Sequence, residues 1–581
     1  MAGQELADTI AGFALFADLS TPQREQVVDV FSEQWFGDGM PGALQLAGRE
    51  LLEIEPERDV PPASRRSAQS SHHDQVAQLD GRPFPPGRYP LVVVGSGPGG
   101  MQLAYSLSRL GVEHAALSAD DAPGGMFRKW PLFQRMLSWT KPYTGFQPGS
   151  REFERHDWNS LAGDEPAHRG LMASVMDGTS YFPSRPEMQR GLELFGERTR
   201  LQVRYGCRWE ATRKDGDDVV LTTSDGEYRA PRVVFAVGVA EPWKPPIPGL
   251  EHAAQYGELR PVETYADRRI FIIGKQNSGF EIASGLLPLA RQIILASPSS
   301  TKLSVNTHSL VGVRARYVQP FEDSVLAGGV VILDASIEGV KRTADGYDVR
   351  VRTTADKPLQ FLVDDVIAAT GFTTPLRDLA DLGVKTFGQS GLPAQTYFWE
   401  SISLRGIYFA GTINQGSKGL MKHGIPSNSG AVQGYRYNAR VLARHLAELQ
   451  GQTLDRPAIA ADEVIPTLLR EARYGPELWH QRSYLARVIS FHPDRGIRDE
   501  GVLPLMYFLD NERFDGAAAI TLESNGHEDL YPVVYVRHHG KVHETRLADD
   551  PFLNFETVQH RTDLAHALEA FLSPSLSRPR T

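Results

Sequence analysis

The sequence predicts an α/β protein of two dinucleotide-binding, Rossmann-like units, the second inserted in the first, with small N- and C-terminal extensions. Three observations predict it. An apolar strand, a glycine turn and an apolar-periodic helix follow one another in "YPLVVVGSGPGGMQLAYSLSRL", and the same succession returns in "IIGKQNSGFEIASGLLPLA". Strands alternating with helices at this spacing imply parallel sheets covered on both faces. The 581 residues also exceed what one core holds, at roughly 150 residues per domain.

Composition narrows the chemistry. With 41% hydrophobic and 23% charged residues the balance is that of a globular protein, and a net charge of -10 offers no basic field for nucleic acid. The one cysteine, Cys207, removes a disulfide framework, a Cys-rich zinc site and a Cys-x-x-Cys redox pair at once. Any redox chemistry must therefore be carried by a cofactor, and Cys207, in the alternating stretch "LQVRYGCRWEATRKD", reads as a small buried strand residue. The N-terminus carries acids where a signal peptide has basic residues, and no apolar run approaches the ~20 residues that span a bilayer. A cytoplasmic protein without membrane contact is expected.

Residues 1–60 read as a helical extension. Thr21 and Pro22 form an N-cap and N1 pair, and Val27, Val28 and Phe31 make one apolar face. These turns resemble the opening helices of cyclic-nucleotide-binding domains, but there is no room for that family's β-roll, so a packing module is expected. Residues 61–89 are rich in Pro, Ser and charge and read as a linker. His72 and His73 within it have no companions to complete a metal site, and no metal is expected.

The first dinucleotide unit opens at residue 90. After an apolar strand, Gly95, Gly97 and Gly100 stand in full Gly-x-Gly-x-x-Gly spacing, with Ser96 and Pro98 between them. Gly95 makes the tight turn, Gly97 lets the backbone approach a pyrophosphate, and Gly100 lets helix and strand pack closely. The helix N-terminus supplies unpaired N–H groups to the phosphates. An acid for the ribose hydroxyls belongs near the end of the second strand, where Ser118 stands; Asp120, two residues on, is the candidate for that role.

Several further stretches resemble the class B flavin-dependent monooxygenases, over roughly residues 90 to 450. "PGGMF" matches the turn that lies against FAD in two-dinucleotide flavoproteins, which implies cofactor contacts at Gly125, Met126 and Trp130. "LSWTKPYTGFQP" is similar to the flavin-lining segment, with Thr140 and Lys141 in register and Ser138 or Trp139 in place of the usual flavin-proximal Asn. "YFPSRPEMQ" resembles a family helix start, "RVVFAVGV" and "DDVIAATGF" its two return strands, the latter with Ala369, Thr370 and Gly371 intact. "GIYFAGT" is similar to the last strand reaching the flavin and ends at Gly411 and Thr412, where Asp is usual. The order of the pieces implies an FAD-binding domain over 90–265, an NADPH-binding domain inserted over 266–395, the return of the FAD domain over 396–450, and a C-terminal α/β appendage over 451–581 for capping or homo-oligomer contacts.

Within the inserted domain, Gly274, Asn277, Ser278 and Gly279 match an NADPH signature in which only the central glycine is lost, to Gln276. The next turn, "ASPSSTKL", offers Ser297 and Lys302 and no acid to repel a 2′-phosphate, which favours NADPH over NADH. The resemblance implies FAD, NADPH and O2, a C4a-hydroperoxyflavin, and oxygenation of a soft nucleophile, foremost N-hydroxylation of a small amine or amino acid. Arg314 and Arg316, on one face of a strand, and Arg436 are candidates to bind a carboxylate. His423, in the Gly/Ser loop 414–430, is a candidate proton shuttle. Alternatives stay open at this point: an NAD(P)H oxidase or reductase, Baeyer–Villiger or sulfur oxygenation, and a non-enzymatic nucleotide-binding protein.

Overall fold

The computed structural model describes residues 81–129, 135–304, 312–321, 329–417, 419–525 and 530–572. The expected helical extension and residues 61–80 of the linker lie outside the described residues.

The chain enters the first sheet through β1 (Val92–Val94), crosses α1 (Pro98–Arg109) and returns in β2 (Ala115–Leu117). After α2 (Arg185–Thr199) comes an antiparallel meander of β3 (Trp209–Asp215), β4 (Asp218–Thr223) and β5 (Gly226–Ala230), then β6 (Val233–Phe235). α2 starts where its sequence says, because Ser184 caps the Glu187 N–H and the Glu187 carboxylate takes the Ser184 N–H in return. The inserted unit supplies β7 (Arg269–Ile273), α3 (Asn277–Leu286), β8 (Gln292–Ser297), β9 (Val330–Thr343), β10 (Gly346–Thr353), β11 (Pro358–Val363) and β12 (Asp365–Ala368). The chain then re-enters the first sheet in β13 (Ile407–Phe409) and continues in α4 (Val432–Leu449).

The first sheet has the order β13-β6-β1-β2, all parallel, with Val93 beside both Val234 and Ala116. Both faces are covered, as the unbroken valine run requires. Val93 packs with Leu103 and Leu442, whereas Val92 and Val94 pack with Trp209, Phe235 and Ile407. The second sheet runs β11-β10-β9-β8-β7-β12 and ends on the short strand Ala254–Gln255. Its β9-β8-β7-β12 part is parallel, and β9, β10 and β11 form antiparallel hairpins.

The two crossings between units lie side by side. Glu241–Pro242 pairs with Phe372–Thr373, the Trp243 N–H donates to the Gly371 carbonyl at 2.9 Å, and the Thr370 hydroxyl donates to the Trp243 carbonyl. The boundaries therefore fall near residues 242 and 372, not at the expected 265 and 395. The second sheet recruits Ala254–Gln255 as an edge, and Leu376, Leu379 and Val384 are buried with Trp209 and Phe235 on the first.

The C-terminal unit holds α5 (Val464–Tyr474), β14 (Leu485–His492), β15 (Gly496–Pro504), β16 (Ala517–Ser524), β17 (Leu530–His538), β18 (Lys541–Arg546) and α6 (Val558–Ala567). Its antiparallel sheet has the order β15-β14-β16-β17-β18. α5 and α6 cover one face through Leu468 and Leu564, and Phe508 and Phe514 cover the other. The unit docks on the first domain through a buried ionic cluster, in which Arg151 donates to both Glu471 oxygens at 2.8 Å and to Glu477 at 2.7 Å. Among the described residues no helix is long and apolar enough to cross a membrane.

Candidate functional site

The two glycine turns are built alike. At Gly95 φ is 118°, and a Cβ there would lie 2.5 Å from the Ala236 carbonyl oxygen; at Gly274 φ is 112°, and a Cβ would lie 2.3 Å from that of Ala369. A Cβ on Gly100 or Gly279 would come within 2.0 or 2.2 Å of the carbonyl oxygen of its own turn glycine. These four positions admit only glycine because backbone occupies the space. The turns diverge at their centre. Gly97 faces open space and starts α1 without a side-chain cap, so the first N–H groups of the helix are free for an anion. Gln276 holds the same place before α3 with extended backbone, exposed and without a capping bond.

Between the turns lies a cavity of about 850 Å³. Gly95, Ser96, Gly97 and Pro98 line it from the first turn and Asn277 and Ser278 from the second. Gly411 and Thr412 close it beside α1, where a Cβ on Gly99 would lie 2.3 Å from the Gly411 Cα. Ser118, Asp120, Gly125 and Met126 also line it. Ser118 shapes the turn, its hydroxyl 2.7 Å from that of Ser96 and accepting the Asp120 N–H at 3.2 Å. Asp120 presents the carboxylate, held by Lys129 at 2.9 Å. An open glycine, an uncapped helix start and a carboxylate on one elongated cavity fit a dinucleotide.

Ser138 lines the cavity, and a buried polar chain fixes it. Its hydroxyl donates to Asn159 Oδ1, Asn159 Nδ2 donates to Thr140 Oγ1 at 3.1 Å, and Thr140 Oγ1 donates to Asp157 at 2.8 Å. The structure places the other catalytic candidates elsewhere. Trp139 packs against Trp158 at 5.1 Å between ring centres, outside the lining, and Lys141 is exposed. His423 is exposed and turned to the C-terminal sheet, its Nε2 3.3 Å from the Tyr531 hydroxyl. Trp130 lies outside the described residues.

Around the second turn, Asn277 Nδ2 donates to the Gly312 carbonyl at 3.1 Å, and Asn277 Oδ1 accepts the Arg314 N–H at 3.2 Å. The Ser297 hydroxyl donates to the Ser299 carbonyl at 3.2 Å, Lys302 is exposed, and neither lines the cavity. The turn that is free of acid in the linear sequence gains one in space. Asp334 of β9 accepts from both the Ser300 hydroxyl and the buried Lys275 ammonium. Ala369 backs the Gly274 turn, Thr370 and Gly371 take part in the crossing, and none of the three lines the cavity.

None of the three candidate substrate arginines lines the cavity. Arg314 and Arg316 do not share a strand face, because Arg314 caps the short helix Ala315–Val318 that contains Arg316. Arg316 ties the second domain to the first, with Nη2 donating to the Met136 carbonyl at 2.9 Å and the guanidinium 3.9 Å from the Phe182 ring centre. Arg436 is wholly buried in α4 and donates to the carbonyls of Ser160 and Glu154.

Lining residues that sequence reasoning missed include Glu281, Gln415, Asn428, Tyr435 and Arg482. Burial pushes the Glu281 carboxyl up to about 7, against the pull of donors from Tyr256 at 3.1 Å, Tyr317 at 3.2 Å and the Arg135 N–H at 3.3 Å. Its position in the second signature was the available signal. Arg482 comes from the C-terminal unit, which bears no motif.

Comparison with known proteins places these features in context. The pattern of the pyridine nucleotide-disulphide oxidoreductases matches residues 92–411, more than half of the chain. FAD-dependent oxidoreductase domain-containing protein 2 of Mus musculus is 26% identical over 435 residues, covering 68% of this chain and 64% of its own. Its Danio rerio counterpart is 33% identical over 333 residues, covering 54% and 46%. The chain thus spans about half to two thirds of the length of these relatives. Ferredoxin--NADP reductase of Beijerinckia indica is 24% identical over 330 residues, covering 56% of this chain and 83% of its own.

Proposed function

The chain belongs to the pyridine nucleotide-disulphide oxidoreductase family, and from that premise we propose an FAD- and NADPH-dependent monooxygenase that N-hydroxylates a small amine or amino acid. One observation carries the reading: both dinucleotide turns open onto a single cavity that holds no cysteine. The sequence has one cysteine, and its thiol is buried against Thr223 in the meander, where burial pushes its pKa up. A disulfide relay within this chain is therefore ruled out, and we take molecular oxygen as the acceptor.

Gly97 would admit the FAD pyrophosphate to the start of α1 and Asp120 would meet its ribose, while Asn277 and Ser278 would hold NADPH at the second turn, with the Gln276 side chain beside its pyrophosphate. Bound there, the flavin supplies two-electron chemistry and oxygen activation. NADPH gives two electrons, one oxygen atom joins the substrate nitrogen, and the other leaves as water with two protons. The protein's own part is to hold and exclude. The Asn159-fixed Ser138 hydroxyl offers an oriented polar contact, residues 425–428 wall the cavity against water, and the uncapped start of α4 at Ala431 directs N–H groups toward developing negative charge.

The amine must be unprotonated to attack, so the rate rises with pH through the bound amine's pKa. The test is NADPH-driven oxygen consumption, with peroxide and hydroxylamine both assayed across a panel of amines and amino acids. Hydroxylated product matching NADPH consumed supports the proposal. Peroxide recovered in full whatever amine is present overturns it in favour of an NADPH oxidase.

A further inference from the structure

Resting on that monooxygenase reading, we propose that Arg482, supplied by the C-terminal unit, recognises the substrate, and that the substrate carries a carboxylate beside its oxidisable nitrogen. Arg482 lines the cavity together with Asn428, Ala431 and Tyr435. It follows the short helix Pro476–His480, which is pinned to this wall by the Asn428 carboxamide donating to the His480 carbonyl at 2.8 Å. Its guanidinium carbon lies 4.6 Å from the centre of the Trp479 ring, and Nε donates to the Trp479 carbonyl at 3.2 Å. The same ring meets Arg155 at 4.5 Å. These contacts fix the planar fork and use one of its donors.

Among the described residues no carboxylate pairs with Arg482. Other arginines of the docking face are matched, Arg151 with Glu471 and Glu477, Arg473 with Glu556 and Arg487 with Asp499, whereas Arg155, on the same Trp479 ring, also has no carboxylate among the described residues but donates to the Arg473 carbonyl and does not line the cavity. Burial, with Arg155 close by, pushes Arg482 down to about 10, the direction expected of a cation lacking a counter-charge. A carboxylate entering the cavity meets two free terminal nitrogens in the geometry a guanidinium binds best. The remaining cavity cations are engaged or solvated. Arg135 donates to the Phe182 carbonyl at 2.9 Å, Arg185 to that of Phe127, and Lys129 to Asp120, while Arg208 and Arg377 are exposed.

The experiment is a titration of the oxidised FAD-loaded protein, followed by the visible flavin band, with α-amino acids of increasing side-chain length and with the amine left by decarboxylation of each. In the unaltered protein at least one amino acid is expected to bind ten times or more tighter than its amine. Arg482→Ala is expected to weaken that amino acid at least tenfold and leave the amine unchanged, with Arg482→Lys between them. The lysine variant also serves should the alanine variant fail to retain flavin. Equal binding of acid and amine, binding of no acid, or equal loss of both in the variants overturns the assignment. So does a variant that changes only the rate of flavin reduction by NADPH, which would assign the charge to the flavin. Carboxylate-selective binding without any oxygenated product keeps Arg482 as the anion site and sinks the monooxygenase reading instead.

Discussion

Gln276 stands where a dinucleotide turn ordinarily has its second glycine, yet the backbone there is extended and accommodates any residue. The substitution therefore leaves the fold alone and adds a side chain between the helix N–H groups and a pyrophosphate. Gln276→Gly is expected to lower KM for NADPH about three- to tenfold, roughly 1 kcal/mol, with flavin content unchanged; loss of flavin would mean the two turns have been assigned in reverse. Glu281 makes a different prediction. Its folded pKa, near 7, lies above that of a free glutamate, so the native state binds the extra proton. The stability it contributes is full below the unfolded pKa and is lost as pH rises through 7, on the order of 3 kcal/mol in all. Glu281→Gln, which cannot ionise, should gain melting temperature relative to the unaltered protein between pH 5 and pH 8. A constant difference across that range would show that the carboxyl stays ionised throughout.

At the level of elements, the segment between β13 and α4 decides how well the cavity is enclosed. Residues 425–428 wall it, and the preceding turn is anchored from outside by Lys422, whose ammonium reaches Glu523 at 3.1 Å and Glu544 at 2.7 Å and also contacts the Tyr535 hydroxyl. Met421 and His423 are held at φ of 48° and 56°, a strained backbone that persists because Lys422 between them is fixed. Glu523 is almost fully buried, so removing its cation leaves an uncompensated charge. Lys422→Met is expected to loosen this wall. The share of NADPH electrons ending as peroxide should at least double, and an unchanged ratio of peroxide to NADPH would show that the C-terminal sheet does not govern enclosure.

Across the whole molecule, the C-terminal unit is part of the site. It supplies Arg482, anchors Lys422, and fills its contact with the first domain by Arg151 between Glu471 and Glu477. Arg151→Ala strands two carboxylates at a buried face and is expected to cost about 3–5 kcal/mol. Thermal unfolding followed by flavin fluorescence should show earlier cofactor release than in the unaltered protein. Release at the same temperature would mean that the unit docks through its apolar contacts alone.

The sequence by itself determined what depends on neighbours along the chain: β1 and β7, the two glycine turns, the helices they open and the start of α2. Strand period, capping and steric demands on glycine act over a few residues, so each leaves a local trace. Tertiary structure alone decided which side chains meet. Asp334 joins Ser300 and Lys275 because β9 runs parallel to β8 in a register that sets Asp334 beside Ser297, the last residue of β8. Arg436, a plausible carboxylate ligand by type, is instead used to satisfy two buried carbonyls, since α4 turns it away from the cavity. Arg482 reaches that cavity because a separate unit is docked there by ion pairs from distant residues, and such long-range juxtapositions leave no periodicity to read.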